Sequence, residues 1–257
     1  MKKIKALIIT GDGLNCENET ALAFRQQGFI DNIVHIQDLI HAPQILKDYQ
    51  VLAIPGGFSF GDEISSGQVL ALKIKHHLAQ DLIQFIEDKK LIIGICNGFQ
   101  TLIKLGLLPH PLKERTTTLT HNIQNQFINK WVDVYFNESI CHWTKSLQNQ
   151  TISLPIRHGE GRVVFSGDSV EQNLSYQNLK LNRQIALEYT EEVNGSYQKI
   201  AGLTDPSGCI LGLMPHPEAA TTKLLLPGGA DKKDESYFGA FLFQNAMNYC
   251  LEKLSKD

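Results

Sequence analysis

Leu91-Ile92-Ile93-Gly94-Ile95-Cys96-Asn97-Gly98-Phe99-Gln100 decides the fold, because it drives a buried apolar strand directly into a cysteine bracketed by two glycines. A side chain at a sharp strand-to-helix turn projects away from the sheet. The helix that follows aims its free backbone N–H groups at whatever that side chain attacks. Gly94 and Gly98 leave room for the turn and for close helix-to-strand packing. A thiol at a helix N-terminus also feels the positive end of the helix dipole, which favours the reactive thiolate. A cysteine after an apolar strand reads equally well as a core residue, since free cysteine is among the most buried residue types. Partners elsewhere in the chain must decide between the two readings.

Upstream, short apolar runs alternate with helical patterns: Ala6 to Ile9, a helix through Ala21-Leu22-Ala23-Phe24, Ile33 to Ile36, Val51 to Ile54, and a longer helix from about Gly67 to Asp88. Strands alternating with helices predict an α/β fold, doubly wound, with a mostly parallel central sheet and flanking helices. Ligands in such sheets sit at the carboxyl ends of the strands. The loops Gly11 to Cys16, Pro55 to Asp62 and the Cys96 turn each follow a strand, so all three are expected on one rim. From about Thr116 the texture changes to short β-prone stretches, which reads as antiparallel strands added to the first sheet or as a small second sheet. Phe238, Phe241, Leu242, Met247, Tyr249 and Leu251 are too dense for a simple stripe, so the last helix is expected to be covered on more than one side. The polar segment Pro227 to Glu235 reads as a surface loop. With no linker or repeat, residues 1–257 are expected to form a single domain.

Composition narrows the partners. A chain of 257 residues with 42% hydrophobic content can bury a core, and a net charge of −3 offers no basic field for nucleic acid. Ala6 to Thr10 is too short an apolar run for a signal peptide or a membrane span, which points to the cytoplasm and to no membrane partner. Five scattered cysteines without a C-x-x-C pair argue for reduced thiols and against a metal site. Cys209 and Cys250 fit core positions. Cys16 follows the first strand, a position near the active rim, but without a base beside it in sequence it reads as a bystander.

A cysteine nucleophile needs a base, and the best candidate stands in Leu213-Met214-Pro215-His216-Pro217-Glu218. The prolines bias Met214 and His216 to extended conformations. In extended chain, His216 and Glu218 share a face, which puts a carboxylate within reach of the imidazole. Cysteine, histidine and an orienting third group form the general pattern of thiol acyl transfer. The same tetrapeptide also reads as a strand end that caps the next segment. Pro55-Gly56-Gly57-Phe58-Ser59 can supply a backbone N–H to an oxyanion hole, together with the N–H of Asn97. Arg157 to Arg162 reads either as the border of a site or as a solvated hairpin tip. His76 and His77 read as surface residues, and Trp131 and Trp143 look exposed.

The runs Pro55-Gly56-Gly57-Phe58-Ser59-Phe60-Gly61-Asp62, Gly94 to Gln100, His158-Gly159-Glu160-Gly161-Arg162, Asn194-Gly195-Ser196 and Gly212 to Glu218 together resemble the class I (triad) glutamine amidotransferases. Within that class they are similar to the family of glutaminase subunits of phosphoribosylformylglycinamidine synthase. The match runs in order from about residue 5 to 219 and is thin between about Thr116 and Gln150. The resemblance implies Cys96 as nucleophile, His216 as acid/base and Glu218 as its orienting carboxylate. It also implies the N–H groups of Gly57 and Asn97 as the oxyanion hole, and Gln100 near the bound glutamine. Phe60 stands where the family has tyrosine, so a phenolic hydroxyl is lost and the ring kept.

The implied reaction is hydrolysis of glutamine to glutamate through a cysteine thioester, with ammonia delivered for purine biosynthesis. The resemblance also implies a large synthetase subunit, which would hold ATP and Mg, and a small bridging subunit. No cofactor is expected in this chain. A glutaminase serving another synthetase, and a non-catalytic regulatory subunit of the same fold, are the alternatives.

Overall fold

The structure is a computed structural model and describes residues 3–111, 115–225 and 238–255. The polar segment 227–235 lies outside the described residues. Four strands carry the first half of the sheet: β1 (Lys5–Thr10), β2 (Ile30–His35), β3 (Val51–Ile54) and β4 (Leu91–Ile95). β3 and β4 are buried at every residue, as strands covered on both faces must be. The helices between them are α1 (Glu17–Gln26), α2 (Ile36–His41), α3 (Gln68–His77) and α4 (Ala79–Glu87), and α5 (Asn97–Leu105) follows β4.

The second half contributes β5 (Thr117–His121), β6 (Ile128–Phe136), β7 (Gln150–His158), β8 (Glu160–Phe165), α6 (Ser169–Leu181), β9 (Ile185–Tyr189), β10 (Ile200–Thr204), β11 (Ile210–Leu213) and α7 (Phe238–Leu254). Nine strands form one sheet in the order β2-β1-β3-β4-β11-β10-β9-β6-β7. The run from β2 to β11 is parallel, and β10, β9, β6 and β7 continue it antiparallel. β5 and β8 pair separately, so the added strands and the small second sheet both occur. Among the described residues no helix is long and apolar enough to cross a membrane.

Four local expectations change. The helix expected over Gly67 to Asp88 is two helices, broken at Leu78 (φ −120°, ψ 8°). The buried positions Leu70, Ala71, Ile74, Leu78, Leu82 and Phe85 keep helical spacing across the break, so the pattern alone hides it. The second strand begins at Ile30 and ends at His35, and Ile36 opens α2, whose Gln37 N–H donates to His35 Nδ1 at 3.2 Å. α7 does bury a simple stripe, Gly239, Leu242, Phe243, Ala246 and Cys250, with Asn245 beside it and Gln244, Asn248, Leu251 and Glu252 facing out. Trp131 is half-buried and Trp143 fully buried. The Trp143 indole N–H donates to the Cys209 carbonyl at 3.0 Å, and its ring meets Phe24 edge-on. A large aromatic with one polar tip suits such a site, and sequence position alone does not reveal it.

Candidate active site

Strand order builds the site. β4 lies between β3 and β11, all three parallel, with Ile54 opposite Gly94 and Leu213 opposite Ile95. Residues that leave these strands at the same level therefore arrive together: Pro55 to Gly57 from β3, Cys96 from β4, and Met214 to His216 from β11. The Cys96 N–H donates to the Leu213 carbonyl at 2.8 Å, which locks the last two of these together. Leu14 bridges Gly57 and brings the loop after β1 to the same rim.

At the turn Cys96 takes φ 52°, ψ −104°, and α5 starts at the next residue. A non-glycine residue at positive φ stores about 1–3 kcal/mol of strain, a feature that concentrates at functional sites. The glycine bracket works by close approach. A Cβ on Gly98 would stand 1.8 Å from the Ile54 carbonyl oxygen, and one on Gly94 would stand 2.5 Å from the Gly98 oxygen. α5 can therefore lie directly on β3 and β4 only because both side chains are absent.

His216 Nδ1 and Glu218 Oε1 are 2.6 Å apart, and both residues are 2% exposed. The contact is made by a 3-10 turn, Pro217–Ala220, rather than by the extended chain the sequence suggests. Burial alone lowers the pKa of the imidazole. The Glu218 carboxylate and the thiols of Cys16 and Cys96 outweigh it and hold the pKa well above the ordinary histidine value. A missing Cβ on Gly56 marks where the groups converge: that point is 2.7 Å from His216 Cε1, 3.2 Å from Cys16 Sγ and 3.5 Å from Cys96 Cβ. Gly56 is thus the one residue type that leaves the ring room beside the cysteines. Cys96 Sγ lies 3.6 Å from the Arg157 carbonyl, and His216 Nε2 is buried without a hydrogen-bond partner among the described residues.

The remaining predicted residues fall around this centre. Gly57 has φ 142°, a conformation open to glycine, and neither its N–H nor that of Asn97 donates to a described backbone carbonyl. The buried Asn97 side chain donates to Asp62 and to Gln100 Oε1, at 3.0 and 3.1 Å, and accepts from the Ser59 N–H at 3.4 Å. It ties the glycine loop to α5. Gln100 is buried at the rim, with its amide nitrogen donating to the Glu160 carbonyl. Burial raises the Asp62 pKa, against hydrogen bonds from Ser66 and Asn97. Arg157 to Arg162 borders the site through these carbonyls. His76 and His77 are exposed on α3, and Phe60 is half-buried at φ 54° with the Lys73 ammonium 5.3 Å from its ring centre.

Three neighbours take roles the sequence reading left open or missed. Cys16 is no bystander in position, with its Sγ beside His216. Tyr189 places a buried hydroxyl here that has no hydrogen-bond partner among the described residues, and burial first, then the nearby Cys96 sulfur, raises its pKa. His158 is buried with Nδ1 3.1 Å from Asn122 Oδ1, and burial first, then His216, push its pKa down to about 3. The Nδ1–Asn122 contact assigns the proton of its neutral ring to Nδ1. The cluster Arg157 to Arg162 was a signal for His158; nothing in the sequence singles out Tyr189.

A thiol on an elbow and an imidazole held by a carboxylate form the constellation of thiol acyl-transfer enzymes, a class that includes the glutamine amidotransferases. The model of the CobB/CobQ-like glutamine amidotransferase domain matches residues 3–250. Phosphoribosylformylglycinamidine synthase subunit PurQ of Methanococcus maripaludis (strain S2) is 42% identical over 245 residues, covering 90% of this chain and 87% of that one. The chain belongs to this amidotransferase family, in the branch formed by the PurQ subunits of phosphoribosylformylglycinamidine synthase. Among solved structures, PurLQS from Thermotoga maritima contains a chain that superposes with a TM-score of 0.75 at 34% identity, covering 96% of this chain and 99% of that one. A putative GMP synthase subunit from Thermoplasma acidophilum shares the fold, with a TM-score of 0.59 at 15% identity and full coverage of both chains.

Proposed function

We propose that this chain is the glutaminase subunit of a phosphoribosylformylglycinamidine synthase, with residues 1–257 as one amidotransferase domain. The observation that carries the reading is the buried His216–Glu218 pair beside the elbow cysteine. The Cys96 sulfur, its proton held on His216, attacks the side-chain carbonyl of glutamine. The N–H groups of Gly57 and Asn97 hold the oxyanion, with Gln100 beside the substrate, and His216 protonates the departing ammonia. Water, relieved of a proton by the same imidazole, then opens the γ-glutamyl thioester and releases glutamate.

Ammonia goes to a separate ATP-dependent synthetase subunit, which converts the formylglycinamide ribonucleotide amide to an amidine in purine biosynthesis. The proposed partners are a large synthetase subunit, which receives the ammonia, together with a small bridging subunit, in keeping with the PurLQS relative. ATP and Mg belong to the synthetase, this chain carries no cofactor of its own, and the assembly works in the cytoplasm. The test is glutamate release from glutamine by the chain mixed with the synthetase and bridging subunits. Wild type is expected to turn over and co-purify with them, and Cys96→Ala to fall to background. Full turnover in Cys96→Ala ends the catalytic reading, and failure to associate ends the partner assignment.

A further inference from the structure

The loop after β1 brings a second thiol to the site that hydrolysis by Cys96 does not use. Cys16 Sγ, a ring nitrogen of His216 and a carboxylate oxygen of Glu218 lie within 4.8 Å of one another, and all three residues are buried. Two polar atoms are left over in the cluster: His216 Nε2 and Glu218 Oε2 are buried without partners among the described residues. The 2.6 Å contact between His216 Nδ1 and Glu218 Oε1 fixes the ring and turns Nε2 away from the carboxylate. Carboxylates orient metal-binding imidazoles in this way. The cluster adjoins Cys96, whose Cβ and the Cys16 sulfur both lie against the same empty position on Gly56.

We propose that Cys16 and His216, the ring oriented by Glu218, form an inhibitory site for a thiophilic divalent cation beside Cys96, with zinc as the fitting ion and water completing its shell. Zinc takes sulfur and imidazole donors at about 2.3 and 2.0 Å, which sets those donors about 3.5 Å apart around a tetrahedral ion. Side-chain shifts of about 1 Å bring Cys16 and His216 to that spacing. Hard cations such as magnesium demand a shell of oxygens that a thiol and an imidazole do not provide. On binding, the Cys16 thiol and the imidazolium release their protons to solvent, and the ion bonds to one thiolate sulfur and a neutral ring nitrogen. The bound ion thereby occupies the nitrogen that moves the proton, beside the sulfur that attacks. Inhibition rests on the proposed hydrolysis, whereas binding of the cation does not.

The experiment titrates the Cys96→Ser chain, which keeps Cys16, His216 and Glu218, with Co2+ as a spectroscopic substitute for zinc. One equivalent is expected to bind with a thiolate-to-cobalt charge-transfer band, to be displaced by Zn2+, and to lose that band in the Cys16→Ser/Cys96→Ser chain. In the assembled complex, zinc is expected to inhibit glutamate release reversibly to a chelator. Measured against its own zinc-free rate, Cys16→Ala is expected to raise the half-inhibiting zinc concentration at least about tenfold. A band unchanged in the double variant, or Cys16→Ala inhibited like wild type, overturns the site. If Cys16→Ala folds poorly, the cobalt comparison of the two serine chains decides alone. Cobalt bound at Cys16 in wild type while glutamate release continues would instead refute the catalytic reading of Cys96 and His216.

Discussion

Cys96, His216, Glu218 and His158 show how burial is turned to chemistry at the scale of single residues. Glu218 is the nearest charge to an imidazole that burial alone would keep neutral, and the pair sits in contact at 2.6 Å. Glu218→Gln keeps the hydrogen bond and removes the charge. We expect kcat for glutamate release to fall by about 10²–10⁴ with little change in KM; an unchanged kcat would show that the carboxylate does not act through His216. His158 has the opposite electrostatics. Its folded pKa of about 3 lies below the value of about 6.5 in an unfolded chain, so the folded state binds fewer protons between those values. Its contribution to stability is complete above about pH 6.5 and is lost as pH falls toward 3, by about 1.4 kcal/mol per pH unit. For His216, whose pKa is raised, the contribution is complete below about 6.5 and is lost as pH rises through the raised value. In urea titrations, the stability of wild type relative to His158→Gln is expected to drop by about 2 kcal/mol between pH 7 and pH 5. Parallel pH curves would contradict this.

At the scale of elements, the elbow works because α5 touches the sheet. Gly98→Ala would drive a Cβ to 1.8 Å from the Ile54 carbonyl, whereas Gly106, at φ 74° just beyond α5, has no atom within 4 Å of an added Cβ. The first substitution must displace a helix and the second only strains a turn. Urea unfolding is expected to show a loss of at least about 3 kcal/mol for Gly98→Ala and about 1 kcal/mol for Gly106→Ala. Equal losses would mean that α5 does not rest on β3 as described. Gly94, Cys96 and Gly98 were legible in sequence because strand, turn and helix follow one another within ten residues. The His216–Glu218 contact was legible for a partly wrong reason: alternation in an extended chain predicts it, whereas His216 stands at the cap of a turn whose second residue, Glu218, reaches back to it. The break at Leu78 was not, because helical spacing of apolar residues survives a helix end.

The whole molecule supplies what local pattern could not. Neither spacing nor composition places β11 beside β4, and that one adjacency converts two distant motifs into a site. The alternation of strands and helices made the parallel half readable, and the resemblance carried the residue roles. Cys16, Tyr189 and Trp143 stayed hidden because their neighbours come from other strands and helices: His216 for the first, Cys96 for the second, Phe24 and Cys209 for the third. The centre that results is largely buried, with Cys96 only 5% exposed. The most direct measurement of the central claim is acid quenching of the assembled enzyme during turnover of glutamine, followed by mass spectrometry of the cysteine peptides. A γ-glutamyl adduct is expected on the peptide holding Cys96, and on no other cysteine. Turnover with that peptide unmodified and the adduct on Cys16, or with no adduct on any cysteine, would contradict the account.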